Sequence, residues 1–252
     1  DNRGVLLFGG YQWDAMSGAE IAQGHNSAFV DKQNRSFVVY HTRFSNGGEG
    51  HQVRVHQLFL NDEGWLMAAP FEFDGETITD AAIASKASIA DADIAGDYQF
   101  MRHQYGQNTK AKAFETPVNI TLNADGTITG AEKGTWKRTA GTDYIHLTIN
   151  DVVYRGVLVK QTIDYTNIPA IAISALSSSS GSVALGQNNF TYQQEVWAVK
   201  ADAKAAIKYT LSKMTLPFSD GATLNAAPSL PVQGKMGANI SWKSSDTSIL
   251  TD

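Results

Sequence analysis

The sequence contains no cysteine among its 252 residues. Disulfides and cysteine metal sites are therefore excluded, and redox chemistry gives no information on the compartment. Charged residues make up only 18% of the chain and the net charge is −5. This balance argues against nucleic acid as a partner, because phosphate binding needs a concentrated basic surface. No apolar run approaches the roughly 20 residues that span a membrane.

Both ends of the sequence look cut rather than native. No signal peptide precedes the strand-like apolar run at residues 5–8. The chain also stops a few residues after Trp242 without a closing element. We therefore expect a portion of a longer protein.

The first 78 residues are rich in aromatic residues and histidine. Four of the six histidines fall between residues 24 and 70. Short β-prone runs separated by Gly, Asn and Asp turns predict successive antiparallel strands. We place these strands at residues 5–10, 27–31, 37–43 and 53–60. Four such strands are the content of one β-propeller blade, and a lone four-stranded sheet would expose both faces.

The remainder divides into three stretches. Residues 79–93 are small and Ala/Ser-rich, which indicates a linker or a short helix. Residues 94–200 alternate apolar and polar side chains between turn signals, typical of a small barrel or sandwich of six to eight strands. Two hairpin turns are predicted there, at residues 123–126 and 150–151. Trp136 and Trp197 lie on strands with alternating apolar neighbours, so both are expected to be buried.

Residues 201–252 begin with a predicted helix. Asp202 is its expected N-cap, and Pro217 is expected to stop it. Helical spacing places Ala203, Ile207, Leu211 and Met214 along one face. The rest is rich in Gly, Ala, Ser and Pro, with one predicted strand at residues 239–243, too little to bury a core alone.

Several motifs carry a resemblance to a known family. Gly24-His25-Asn26-Ser27, Tyr40-His41-Thr42-Arg43-Phe44 and Val53-Arg54-Val55-His56-Gln57-Leu58 resemble the last propeller blade of endo-1,5-α-L-arabinanases, in glycoside hydrolase family 43. Residues 94–200 resemble the lipocalin-like barrel that follows, and residues 201–252 the opening of an atrophied bacterial Ig-like domain. The expected fold is therefore all-β: a blade of a five-bladed propeller, a small antiparallel barrel and a partial Ig-like segment.

The resemblance implies hydrolysis of α-1,5-linked L-arabinofuranosyl bonds with inversion, by two Asp and one Glu on earlier blades. Inversion needs two carboxyls about 6.5–9.5 Å apart. The chain begins too late to contain those motifs, so no catalytic residue is assigned to it and the chain alone is expected to be inactive. Its own acids in this region are interpreted as solvated turn residues: Asp14, Glu20, Asp31, Glu49, Asp62 and Glu63.

His25 is the site residue that the resemblance transfers. It implies an imidazole beside a water-rich Ca²⁺ on the propeller axis, although calcium prefers oxygen ligands. The alternative is a buried histidine bonded to backbone. His41 and Arg43 point the same way from one strand face and are candidates for a carboxylate or sugar contact, with a structural salt bridge equally open for Arg43. His51 and His56 are expected to satisfy backbone groups.

Tyr11 and Trp13 are candidate platforms for sugar rings, with core packing as the alternative. The blade is expected to present one apolar face, formed by Leu6, Phe8, Phe29, Val38, Tyr40, Val53 and Val55. We expect the missing blades, carried on a second polypeptide, to cover it.

The resemblance further implies arabinan or a related plant polysaccharide as the substrate. It also implies an extracellular or cell-surface location in a bacterium. The alternative function is a non-catalytic β-module that binds polysaccharide or supports a neighbouring domain.

Overall fold

The computed structural model describes residues 5–104, 114–178, 183–184, 191–219 and 221–244. Within them the fold is nearly all-β, with a four-stranded sheet, a closed eight-stranded barrel and a few short helices. The expected all-β fold class is confirmed.

The sheet is antiparallel and its strands follow one another in chain order. They are β1 (Glu20–Val30), β2 (Ser36–Phe44), β3 (Gln52–Leu60) and β4 (Leu66–Ala68). The predicted strand at residues 5–10 is wrong, because that run packs its side chains into the core without joining a ladder. The fourth strand is instead the short β4, which pairs with the end of β3.

The two faces of the sheet have different surroundings. Val38 lies opposite His56, and Tyr40 lies opposite Arg54, so these four side chains share the face that packs on the barrel. Val53, opposite His41, is on the other face and is 67% exposed. We call this other side the outer face; it also carries Phe29, opposite Phe37, and Val55, opposite Val39.

The expected single apolar face is therefore wrong. The strand register divides its members between the barrel side and the outer face, because a shift of one residue reverses the direction of every side chain. The barrel covers the Val38 side, whereas Phe29 remains 48% exposed.

Eight antiparallel strands close the barrel in the order β10, β11, β14, β5, β6, β7, β8, β9. Their bounds are β5 (Gly96–Arg102), β6 (Val118–Leu122), β7 (Thr127–Gly130), β8 (Gly134–Arg138), β9 (Tyr144–Ile149), β10 (Val152–Thr162), β11 (Pro169–Ser177) and β14 (Glu195–Ala201). A two-stranded ladder, β12 (Val183–Ala184) with β13 (Thr191–Tyr192), stands apart. Both predicted hairpin turns are confirmed, between β6 and β7 and between β9 and β10.

The barrel interior is filled by apolar side chains. Buried residues from all around the wall form one cluster, among them Tyr98, Phe100, Ile120, Leu147, Leu158 and Ile173. Strand alternation sends the intervening residues outward, where Leu176, Trp197 and Val199 join the core shared with the sheet. The outer surface of the barrel wall thus packs against one face of the sheet.

The two tryptophans of the barrel differ in burial. Trp197 is 0% exposed, as predicted, and its indole N–H donates to the carbonyl of Ala68 at 3.0 Å. Trp136 is only partly buried at the margin of the interior cluster, so the prediction that it is buried like Trp197 is wrong. Its indole N–H donates to the carbonyl of Asn123 at 2.8 Å.

Short helices join the sheet to the barrel. Helix α1 (Asp80–Ser85) buries Ile83 and is capped by Thr79, whose side chain accepts from the N–H of Ala82. Helix α2 (Asp91–Ile94) leads directly into β5. The short-helix interpretation of this stretch is confirmed.

The C-terminal helix α3 (Ala203–Lys213) begins where predicted, with Asp202 accepting from the N–H of Ala205. The apolar residues that helical spacing places on one face are not the ones that the helix buries. Ala206 and Thr210 pack inward, whereas Ile207 and Leu211 are 51% and 61% exposed. The helix ends at Lys213, before Pro217.

The chain beyond α3 is largely irregular where it is described. The predicted strand at residues 239–243 reduces to one bridge between Gln233 and Asn239, beside a 3₁₀ turn at Lys235–Gly237. Residues 220 and 245–252 of the predicted Ig-like segment lie outside the described part. None of the helices seen in the described ranges is long and apolar enough to cross a membrane.

Candidate functional site

The candidate site lies on the first strand of the sheet. Strand β1 is an edge strand whose pairing with β2 is interrupted by irregularities on both sides of Gly24. Ala22 and His25 adopt positive φ angles of 55° and 46°, which non-glycine residues rarely do. Bulges of this kind re-aim side chains and are common beside functional sites. Here the distortion leaves His25 exposed.

Three imidazoles meet next to this distortion. The ring centroids of His25 and His41 are 5.2 Å apart, and those of His41 and His51 are 4.6 Å apart. Arg43, next on the same strand face, forms an ion pair with Glu49. We call His25, His41 and His51 the histidine edge. The pKa of His41 is lowered, by desolvation first and then by His51, His25 and Arg43.

The donor set of the histidine edge tests the expected calcium site. Among the described residues no group of three or more His, Asp or Glu side chains could hold a metal ion. The neighbours of His25 are imidazoles, whereas Ca²⁺ prefers oxygen. An exposed His25 fits the contribution of a single imidazole, and the described residues around it supply no set of oxygen ligands for Ca²⁺.

Tyr11 and Trp13 are both 0% exposed. The ring of Tyr11 meets Trp197 edge-on with centroids 5.2 Å apart, and the ring of Trp13 packs against Phe71 at 5.6 Å. A stacking platform needs an open ring face, so this geometry favours the core-packing role over the sugar-platform role.

A row of hydrogen-bonded buried polar groups crosses strands β1, β2 and β3 on the barrel side of the sheet and ends at Ala69, just after β4. The hydroxyl of Tyr40 lies 3.1 Å from Glu20 Oε2 and 3.1 Å from His56 Nε2. Nδ1 of His56 is 2.7 Å from the carbonyl oxygen of Ala69, which confirms that His56 satisfies a backbone group. Glu20 is 0% exposed, so its interpretation as a solvated turn residue is wrong.

The hydrogen atoms along this row of polar groups can be assigned from the partners of each group. The carbonyl of Ala69 only accepts, so Nδ1 of His56 carries the hydrogen. Burial lowers the pKa of His56 to about 4, which leaves Nε2 free to accept from Tyr40. Burial raises the pKa of Glu20 to about 7. Below that pH the protonated carboxyl donates to the Tyr40 oxygen, and above it the Tyr40 hydroxyl donates to Glu20 Oε2.

The other acids of this region form turns or ion pairs. Asp31 accepts from the N–H groups of Gln33 and Arg35, each at 2.9 Å. Asp62 and Glu63 lie 2.9 and 3.0 Å from the guanidinium of Arg155 on the barrel. These contacts give the acids structural roles. The histidine edge therefore has imidazoles that can bind a ligand, without one of these carboxylates beside them to act as a catalytic acid or base.

Comparison with known proteins identifies the class. Residues 70–186 match the C-terminal lipocalin-like domain of glycoside hydrolase family 43. The matched residues include helices α1 and α2 and the barrel strands β5 to β11, and strands β1 to β4 precede them.

Over part of its length the chain is homologous to extracellular endo-α-1,5-L-arabinanases. It is 43% identical over 146 residues to the enzyme of Thermotoga petrophila, covering 56% of this chain and 28% of that protein. It is 36% identical over 184 residues to extracellular endo-α-1,5-L-arabinanase 2 of Bacillus subtilis, covering 71% of this chain and 37% of that protein. The chain therefore spans about a third of these relatives.

Solved structures of family 43 proteins are also similar to this chain. The family 43 YxiA protein of Bacillus licheniformis superposes with a TM-score of 0.62 at 34% identity, over 78% of this chain and 39% of that one. The endo-1,5-α-L-arabinanase of Thermotoga petrophila gives 0.61 at 35% identity, over 80% and 40%.

Sequence reasoning missed the buried part of the site. Glu20 precedes an apolar residue in a stretch without clear alternation, so its burial had no sequence signal. Arg54 alternates with apolar residues on β3, which indicates that it shares a face with His56 but not that this face packs on the barrel. Tyr165, which Arg54 contacts, is more than a hundred residues away in the chain.

Proposed function

We propose that the chain is the C-terminal portion of an arabinan-degrading glycoside hydrolase that cleaves α-1,5-linked L-arabinofuranosyl bonds with inversion. Two similarities support this proposal. Residues 70–186 match the C-terminal lipocalin-like domain of family 43, and the chain is 43% identical to an endo-arabinanase over 146 residues. Because the chain spans about a third of such relatives, the catalytic Asp, Asp and Glu are proposed to lie on earlier propeller blades.

In this proposal the sheet is the last blade and the histidine edge faces the propeller axis. His25 would contribute one imidazole to a water-rich Ca²⁺ site completed by groups outside this chain. A bound cation would hold nearby carboxylates ionised and in position. His41 and Arg43 are proposed to contact substrate or a catalytic carboxylate, with Glu49 as the exchangeable partner of Arg43.

The earlier blades are the proposed partner, on a separate or absent polypeptide. The outer face supports this, because it leaves Phe29 and Val53 roughly half or more exposed. The proposed location is outside a bacterial cell or on its surface, as for the extracellular relatives.

Complementation tests this function. The 252-residue chain is mixed or co-expressed with the N-terminal part of a homologous arabinanase, and release of reducing ends from linear arabinan is measured. Activity of the mixture, with neither part active alone, is the expected result. If an assembled mixture does not hydrolyse arabinan, the hydrolase proposal fails and the non-catalytic module replaces it.

A further inference from the structure

A small cleft opens on the opposite side of the sheet from the histidine edge. Its volume is about 220 Å³, and its walls include Phe44, Asn46, Gln52 and Arg54 from the sheet and Tyr165 from the β10–β11 turn of the barrel. Arg54 pairs with Tyr40 on the barrel side, whereas His41 pairs with Val53 on the outer face. The cleft is thus separate from the histidine edge.

Arg54 organises the cleft without being free to bind a ligand charge. Its Nε lies 2.8 Å from Glu72 Oε1, and its Nη1 donates to the carbonyl of Val53 at 2.9 Å. Its Nη2 donates to Gln52 Oε1 at 2.6 Å and to the Tyr165 hydroxyl at 3.0 Å. The guanidinium is therefore paired with the Glu72 carboxylate and already donates three hydrogen bonds, which disfavours an anionic ligand.

These bonds orient the groups that remain for a ligand. Because Gln52 accepts through Oε1, its amide NH₂ lies on the other side of the side chain. The Tyr165 oxygen accepts from Arg54, so its own hydrogen is available to donate. Asn46 is held on the rim by a bond from its Nδ2 to the carbonyl of Ser17 at 3.2 Å.

Two aromatic rings form the apolar wall of the cleft. The rings of Phe44 and Tyr165 meet edge-on with centroids 6.3 Å apart, and Arg54 lies over Phe44 at 5.1 Å. Tyr165 is 53% exposed although its backbone has a φ of 63°, a costly conformation for a bulky residue. Strain of this kind is retained where the position of a side chain matters.

We propose that this cleft binds one residue of a neutral saccharide, packed against the Tyr165 ring with its hydroxyls bonded to Gln52, Asn46 and the Tyr165 hydroxyl. Uncharged, polyhydroxylated rings match a site with an aromatic wall and a few convergent amide and hydroxyl groups. The site draws residues from both the sheet and the barrel, so it depends on their packing and not on an active propeller.

Titration calorimetry on the 252-residue chain tests the proposal with linear α-1,5-arabinotriose, xylotriose and the anionic tri-galacturonate. We expect binding of at least one neutral trisaccharide and weaker binding of the anionic one. Tyr165→Asn should weaken the neutral binding at least about tenfold. Asn tolerates a positive φ, so this variant should keep or raise the thermal midpoint. Gln52→Ala, at an exposed side chain, should weaken binding several-fold.

Trp65→Ala is the matched control, since Trp65 is 42% exposed at the far end of β3 and β4. It should leave saccharide binding unchanged. Absence of neutral saccharide binding, a preference for the anionic trisaccharide, or binding insensitive to both cleft substitutions would overturn the proposal. Because no hydrolysis is measured, these results are independent of whether complementation restores arabinan cleavage.

Discussion

The backbone N–H of Ala68, on the last strand of the sheet, donates to Oε1 of Glu195 on the barrel at 2.9 Å. The same oxygen accepts from the Ser174 hydroxyl at 2.9 Å and from the Trp197 indole at 3.0 Å. Glu195 is 0% exposed, and burial raises the pKa of its carboxyl well above the usual range. One buried carboxyl oxygen thus collects three donors at the junction of sheet and barrel.

Removing this acceptor should weaken the junction. Glu195→Ala leaves the Ala68 N–H and the Ser174 hydroxyl unpaired at about 1–3 kcal/mol each, so we expect a loss of at least about 2 kcal/mol. The Trp197 indole keeps its bond to the Ala68 carbonyl. Glu195→Gln keeps an acceptor oxygen in a neutral side chain and should stay near the wild type at pH 7. Urea unfolding followed by tryptophan fluorescence measures both, with Trp197 as the local reporter. Equal losses in the two variants would contradict this role.

Glu20 should make stability depend on pH. Burial raises its pKa from 4.5 to about 7, so its contribution to stability is fully present below pH 4.5 and is lost as pH rises through 7. At higher pH the native state carries a penalty of about 3 kcal/mol. Glu20→Gln removes this titration, so its stability relative to the wild type should increase between pH 5 and 8.5.

Denaturation midpoints at several pH values measure this difference. Glu49→Gln is the control, because Glu49 is an exposed carboxyl on the same sheet, and its difference from the wild type should stay constant. A constant difference for Glu20→Gln would show that Glu20 is ionised throughout.

The barrel could be predicted from sequence because its strands alternate clearly and its turns are local. Ile145, Leu147 and Ile149 all point inward, and the Asn150–Asp151 hairpin turn has positive φ at both residues. The start of strand β1 was not predicted for the opposite reason, because the bulges around Gly24 interrupt the alternation of side chains between the two faces.

The surroundings of the site could not be predicted, because they depend on register and on distant partners. Val53 and Val55 on β3 were predicted to share one face with Val38. Only the pairing with β2 shows that both lie on the outer face, on the opposite side of the sheet from Val38. The contact of Arg54 with Tyr165 joins the sheet to the barrel, and no local pattern encodes it.

The two barrel tryptophans should differ in their cost of truncation. Trp197→Ala removes a fully buried ring that contacts Tyr11 and His103, so we expect a loss of about 3–5 kcal/mol. Trp136→Ala removes a partly exposed ring and one indole bond, so the loss should be clearly smaller. Urea unfolding measures both. A larger loss at Trp136 would contradict the burial seen here.

His25 should matter for activity and not for folding. Its side chain is exposed and its φ is positive, so His25→Asn should leave the stability of the chain nearly unchanged. In the complemented assembly the same variant should abolish arabinan hydrolysis if His25 serves the axial metal. His146→Asn, at a histidine paired with Asp62 on the barrel, is the control and should retain activity. Full activity of His25→Asn would remove His25 from the proposed site.

The outer face should distinguish folding of the chain from its assembly with the earlier blades. Val53 is 67% exposed, so Val53→Glu exposes no new apolar surface and should change the unfolding free energy of the isolated chain by less than about 0.5 kcal/mol. In an assembly that covers this face, the same carboxylate would be buried without a partner, which costs several kcal/mol. Binding of the N-terminal part, measured by calorimetry, should therefore weaken by more than about a hundredfold. Val118→Glu, at a 43% exposed valine on the barrel, is the matched control and should leave the association intact. Unchanged association of Val53→Glu would show that the earlier blades do not cover the outer face.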